Sequence, residues 1–310
     1  MASRSRAVWR LARRNQLGAV GMVLVVVILV IAIFAPFLQR YPDTKSFQTA
    51  NPDYNPTASP LDIAANPNKQ IATPYILNRF ESPFSRDHWL GTDQFGRDIY
   101  ARIIVGARLA VIIGIGASLI SVASGTVAGL ISGYFGGKLD LVLQRLIDAM
   151  QAFPALVLLM LIVQVMDRPN LTITVVALGV LGFATSTRVV RSTVLAVSQM
   201  TFIEAARSYG AGDLRLMLRH VLPNVVAPVI VIFSISIGLY ILAEASLSFL
   251  GLGPADKTTW GKMVNSGRNS LDLYPWESVF SGLAITLTVL AFNLAGDAIR
   301  DELDPRLRGR

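Results

Sequence analysis

Charged residues divide the chain into blocks, and between the blocks lie apolar runs long enough to cross a bilayer, for which about 18 residues suffice. Six such runs are bounded by Asn15 and Arg40, Arg108 and Lys138, Asp148 and Asp167, Arg168 and Arg188, His220 and Glu244, and Glu277 and Asp297. In lipid a backbone must satisfy its own polar groups, so each run is predicted to be a helix. From Asp98 to Arg108, Ile99, Ile103 and Ile104 recur at helical spacing among arginines, which predicts a short interfacial helix leading into the second span. Between Tyr41 and about Pro83 the chain is rich in Pro and Asn and is expected to be irregular.

The second span carries Ala117, Ser121, Gly125, Gly129 and Gly133, all small and four apart. That spacing places them on one helix face, where a second backbone can come close. The ladder puts this helix at the centre of the bundle or at a subunit interface.

One polar segment, EAARSYGAGDLRLMLRHVLPN from Glu204 to Asn224, interrupts the apolar pattern. Thr201 and Glu204 have capping-box spacing, in which each side chain satisfies an early amide, so a helix is expected from about Phe202. Gly210 can end that helix in the left-handed conformation. Asp213 is then expected to cap a second short helix, with Leu214, Met217, Leu218 and Val221 on one face before Pro223 opens the fifth span. Local physics leaves two uses open: a connector lying on the membrane surface, or a docking element.

Composition supports the membrane reading, with 53% hydrophobic and only 15% charged residues. The net charge of +8 comes largely from arginines beside the apolar runs, as orientation by the positive-inside rule requires. No basic stripe with interleaved aromatics speaks for nucleic acid. Arg4, Arg6, Arg10, Arg13 and Arg14 precede the first run, and Arg300, Arg306, Arg308 and Arg310 follow the sixth, so an even number of spans places both termini and the segment from Arg188 to His220 in the cytoplasm. The first run lacks an A-x-A cleavage site and reads as a retained span.

Chemistry is sparse. Cysteine is absent, so disulfides and thiolate ligands are excluded. SGYFGGKL and DKTTWGKM only approximate a phosphate loop, because Leu139 and Met263 stand where Ser or Thr is required. Two histidines, His88 and His220, and no G-x-S-x-G elbow build neither a metal centre nor a hydrolase. No catalytic residue, metal or cofactor is expected in this chain.

Glu204-Ala205-Ala206, then Gly210 after three intervening residues, then Leu222-Pro223 match the EAA motif of binding-protein-dependent ABC importer permeases. HWLGTDQFGRDIYARIIVGAR (His88 to Arg108), GYFGGKLD (Gly133 to Asp140), AEASLSFLGLG (Ala243 to Gly253) and DELDPRLR (Asp301 to Arg308) extend the match along the chain. On these motifs the chain resembles the C-type permease subunit of the dipeptide, oligopeptide and nickel family. The resemblance implies an all-α integral membrane protein of six transmembrane helices with the type I ABC importer permease (MetI-like) architecture, in a prokaryotic plasma membrane. It divides the chain into a cytoplasmic tail at 1–16, a first span at 17–39, an extracytoplasmic loop at 40–106, a permease core at 107–297 with the EAA loop at about 201–223, and a tail at 298–310.

The resemblance also implies partners: a homologous B-type permease, two ATPase subunits that hold ATP and magnesium, and an extracytoplasmic binding protein. Glu204, Ala205, Ala206, Arg207, Gly210, Leu222 and Pro223 then become the ATPase-coupling residues. Similar permeases carry peptides, nickel chelates or glutathione, with peptides the expected class. A secondary transporter or channel working without ATPases is the rival, but it needs several ionisable groups within its spans, where Glu244 is nearly alone. Glu244 either lines the translocation path or ties the fifth helix to its neighbours. Asp93, Arg97 and Asp98 either form an external gate or binding-protein contact, or make a local ion-paired turn.

Overall fold

The computed structural model describes residues 16–59, 64, 73–85, 87–166 and 169–303. Its helices are α1 (Gln16–Leu38), α2 (Ile99–Phe135), α3 (Gly137–Gln151), α4 (Ala155–Val165), α5 (Leu171–Ser198), α6 (Thr201–Ser208), α7 (Asp213–Leu216), α8 (Leu222–Phe249), α9 (Trp260–Gly267) and α10 (Trp276–Leu303). Among the described residues five helical stretches are long and apolar enough to cross a membrane: α1, α2, α5, α7 continued into α8, and α10. A sixth is present if α3 and α4, bent 87° to each other, form one span. The protein is an all-α, multi-pass membrane bundle. The arginines at 4–14, Arg168 and the tail beyond Leu303, with most of DELDPRLR, lie outside the described residues.

The predicted interfacial helix does not exist as a separate element. Helix α2 runs unbroken for 37 residues from Ile99, with Asp98 as its N-cap accepting a hydrogen bond from Ala101 N at 2.7 Å. The boundary expected at 106/107 therefore falls inside a helix. Ile99, Trp260 and Met263 share one apolar cluster, so α9 covers the face that the sequence pattern assigned to the membrane surface.

The third apolar run is also not a straight helix. Pro154 disfavours helical geometry at the residue before it, and α4 begins only after it, with 11 residues. At 1.5 Å per residue α4 rises about 16 Å, roughly half of the hydrocarbon layer. Helix α3 before the bend is amphipathic and carries Asp140, Arg145 and Asp148.

Between α1 and α2 the stretch expected to be irregular contains one small sheet. Strands β1 (Gln48–Ala50) and β2 (Tyr75–Leu77) pair antiparallel, Thr49 opposite Ile76.

Helix α2 is the axis of the bundle and feeds three apolar clusters along its length. Ile99, Ala107 and Ala110 join Trp260 and Phe292. Ile113 and Ala117 join Leu159 of α4 and Tyr240 of α8. Leu130 joins Val190 and Val194 of α5 and Ile203 of α6. All five ladder residues, Ala117, Ser121, Gly125, Gly129 and Gly133, are buried. Their partner is α5 of the same chain: a Cβ on Gly125 would meet Ser186 Cβ at 2.5 Å, and one on Gly129 would meet Thr187 O at 2.7 Å. Ser121 Oγ and Ser186 Oγ are 2.8 Å apart, which satisfies both hydroxyls inside this contact.

Candidate functional site

The polar segment folds as a short helix, a tight turn and a second helix, with details that differ from the capping expectation. Helix α6 starts at Thr201 with Met200 at its N-cap, and no side-chain capping bond forms there. At its end the Gly210 amide bonds Arg207 O at 2.9 Å and the Ala211 amide bonds Ala206 O at 3.2 Å. These are the two bonds of a Schellman ending, which requires the left-handed residue that Gly210 supplies with φ of 82°. The second helix is capped by Gly212 rather than Asp213. It continues through a π turn, Met217–Val221, directly into α8. That wider turn precedes Pro223, whose ring and missing amide a regular helix would not accommodate.

Asp213 is engaged elsewhere. Tyr134 Oη, in the last turn of α2, donates to Asp213 Oδ1 at 2.7 Å, and Arg207 Nη2 donates to Tyr134 Oη at 3.4 Å. Both sides of the Gly210 turn are thus tied to one tyrosine. Helix α6 is anchored by Ile203, buried among Val190, Val194 and Val225. Its outer face is open: Glu204, Ala205, Arg207 and Gly210 are exposed, Ala206 is half-buried and Tyr209 is 93% exposed. Further along, Leu222 is half-buried and Pro223 exposed.

The same end of the bundle is braced by GYFGGKLD. Gly136 and Gly137 take positive φ of 63° and 57°, which turns the chain from α2 into α3. Asp140 in the first turn of α3 then receives Arg191 of α5 through Nε to Oδ1 and Nη2 to Oδ2, the latter at 2.6 Å, and the Ser132 hydroxyl. Arg188 Nη2 bonds Asp148 Oδ1 at 2.7 Å. Arg188 and Asp148, which delimited apolar runs in the sequence, are in the structure one of two rivets between α3 and α5.

At the opposite end of α2, Asp93, Arg97 and Asp98 form a folded turn. Asp93 accepts from Phe95 N, Arg97 N and Arg97 Nε at 2.8, 2.9 and 2.7 Å. Asp98 holds His88 Nδ1 at 2.7 Å besides capping α2. Sequence reasoning did not single out His88 or Arg102, both buried here. Glu244 is 3% exposed and accepts from Ser248 Oγ. Lys262 of α9 supports it electrostatically and donates to the carbonyls of Pro254 and Lys257. Burial lowers the Lys262 ammonium below its ordinary lysine value, with the attraction of Glu244 opposing. A Cβ on Gly261 would meet Ala245 O, so α9 lies tight against α8 beside this carboxylate.

A cavity of about 330 Å³ opens between α4, α5 and α8. Its wall is mainly leucine and alanine with Thr185, Ser186, Ser236, Tyr240 and Ser246 as polar points, and Tyr240 Oη donates to Ser121 Oγ at 2.8 Å. Neither Glu244 nor the Asp93–Asp98 turn lines it.

Comparison with known proteins agrees with this arrangement. Residues 125–309 match the family described as binding-protein-dependent transport system inner membrane component, and residues 3–60 match the N-terminal TM domain of oligopeptide transport permease C. The oligopeptide transport system permease protein OppC of Bacillus subtilis is 34% identical over 99% of this chain and 93% of its own length. The dipeptide permease DppC of Alkalihalophilus pseudofirmus is 36% identical over 98% and 90%, and the glutathione permease GsiD of Pectobacterium atrosepticum is 37% identical over 98% and 91%. The inward-facing MetNI methionine ABC transporter shares the fold, with a TM-score of 0.51 and 19% identity over 64% of this chain and 96% of that one. Full-length relatedness, a shared bundle and an intact EAA loop converge on one conclusion: the chain belongs to the binding-protein-dependent transport system inner membrane components, the permease subunits of ABC importers.

Proposed function

We propose that this permease forms half of the path of an ATP-driven importer for di- or oligopeptides and receives the work of ATP hydrolysis at the loop 201–223. The observation that carries the reading is the form of α6: Ile203 anchors it in the core and Arg207 ties it to Tyr134, while Tyr209 and the face around Glu204 and Ala205 stand free. A two-turn helix with a free face and a rigid glycine ending suits docking into a groove of another subunit. Motion of that subunit would pass through the Gly210 turn into α5 and α8 and through Tyr134 into α2.

The partners proposed are a homologous B-type permease, two ATPase subunits and an extracytoplasmic binding protein. Both termini and the loop 201–223 then face the cytoplasm, and the 41–83 stretch faces outward. The cavity between α4, α5 and α8 supplies an apolar wall of the path, with Tyr240 and the serines as hydrogen-bonding points for backbone amides of a peptide.

Reconstitution tests the proposal. With all partner subunits, uptake of a dipeptide should require the binding protein and ATP and should be blocked by vanadate. Uptake driven by an ion gradient through this chain alone would overturn it.

A further inference from the structure

The end of the bundle away from the EAA loop holds a pocket of about 450 Å³ between the start of α2 and α9. Its wall carries four cations, Arg97, Arg102, Lys257 and Lys262, and one acid, Asp256. The acid is exposed and held by its neighbour Lys257 at 3.0 Å, so it does not neutralise the interior. Arg97 is paired with Asp93, and the Lys262 ammonium rests on backbone carbonyls.

Arg102 is different. It is only 4% exposed, its Nε has no hydrogen-bond partner, and its contact with Asp93 Oδ2 is long at 3.7 Å. Asp93 cannot come closer without giving up its three bonds to Phe95 and Arg97. Glu277 of α10 attracts Arg102 from behind the wall, but neither of its oxygens makes a hydrogen bond and it does not line the pocket. A buried Nε left without a partner is costly, and a planar fork at a pocket wall matches the geometry of a carboxylate. Gln94 and Asn265 add side-chain amides to the same wall.

We propose that this pocket is a carboxylate-binding site at the mouth of the permease, in which Arg102 takes the carboxylate of a small ligand as a bidentate partner and Lys262 adds long-range attraction. The site stands on its own geometry; it rests on the importer reading only for the source of the carboxylate, the C-terminus of an arriving peptide. Arg102 then sorts ligands by their charged end before they reach the apolar wall around Tyr240.

The test measures binding to the assembled transporter in nanodiscs, without ATP and without binding protein, by equilibrium dialysis. The probes are N-acetyl-dialanine, which has a free carboxylate and no amine, and its C-terminal amide. The acid should bind saturably and the amide about tenfold more weakly. Arg102→Gln should weaken the acid by about tenfold, Arg102→Lys should keep part of the affinity, and Lys257→Gln at the rim should change it by less than about threefold. Asn265→Phe places a large side chain in the pocket while Arg102 itself is kept, and should abolish binding even if Arg102→Gln assembles poorly. Equal binding of acid and amide, no binding to the unmodified transporter, or unchanged affinity in both Arg102→Lys and Asn265→Phe would each overturn the site. If Arg102→Gln leaves the probe bound and instead weakens docking of the binding protein, the carboxylate belongs to that protein and the small-ligand assignment falls. None of these readouts depends on uptake, so a failed importer reading is recognised separately by absent ATP-driven transport.

Discussion

The hydroxyl of Tyr134 lies 2.7 Å from Asp213 Oδ1, and this bond joins the last turn of α2 to the residue three positions beyond the Gly210 turn. The pair is solvent-accessible, so its net worth is of the order of 1 kcal/mol. It contributes little to folding and is placed where a docked subunit would push. Tyr134→Phe should leave the complex assembled and lower peptide uptake per ATP hydrolysed by about fivefold, the factor that follows from about 1 kcal/mol. Asp213→Asn should do the same, and the double variant should be no worse than either single one. Parallel ATPase and uptake assays check this; an unchanged ratio would sink the coupling role.

Gly210 sits at φ of 82° with open space around it, so the cost of a side chain there is conformational and not steric crowding. Gly210→Val should strain the turn by about 1–2 kcal/mol and uncouple transport from hydrolysis in an assembled complex. Gly210→Asn, whose side chain tolerates the left-handed region, should keep most of the coupling. Equal uptake by the valine variant and the wild type would show that the turn need not be rigid.

Gly129 faces α5 with Thr187 O only 2.7 Å from where a Cβ would stand. Gly129→Ala should destabilise the bundle by about 1–3 kcal/mol through overpacking. Gly282 has nothing within reach of an added Cβ, and Gly282→Ala should be neutral or slightly stabilising because it favours the helix. Thermal unfolding in detergent compares the two.

The Arg191–Asp140 pair is half-buried and bidentate. Arg191→Leu should release α3 from α5 and cost about 1–3 kcal/mol, the range for hydrogen bonds to charged groups. A double-mutant cycle with Asp140→Leu should return a coupling energy of similar size. Additive losses would show that other contacts hold α3.

Glu244 tests a choice that the sequence left open. Its bond from Ser248 survives in Glu244→Gln, which should transport normally. Glu244→Leu strands the buried Ser248 hydroxyl and should lose stability by about 1–3 kcal/mol. A changed substrate preference in the glutamine variant, with stability intact, would move Glu244 onto the path.

Sequence periodicity reached the class of the fold and the place of its polar loop because both depend on local patterns: charge-free runs in lipid, and a glycine where a helix must end. It missed what depends on contacts between distant residues. Ile99 looks like part of an amphipathic face at the membrane surface until Trp260 and Met263, far along the chain, cover it. Asp213 looks like an N-cap until Tyr134 takes its carboxylate. Arg188 and Asp148 look like the borders of apolar runs until the bend at Pro154 brings α3 beside α5. The break at Pro154 was itself visible as a proline within an apolar run, and that signal outweighs run length.

Arg102 and Tyr134 belong to the same unbroken helix of 37 residues, which at 1.5 Å per residue is about 55 Å long. A tilt of that rod by about 5° displaces one end relative to the other by roughly 5 Å, which is close to one helical turn. The proposed carboxylate pocket and the proposed docking loop can therefore report on each other by leverage alone, with no relay of side-chain rearrangements through the bundle between them.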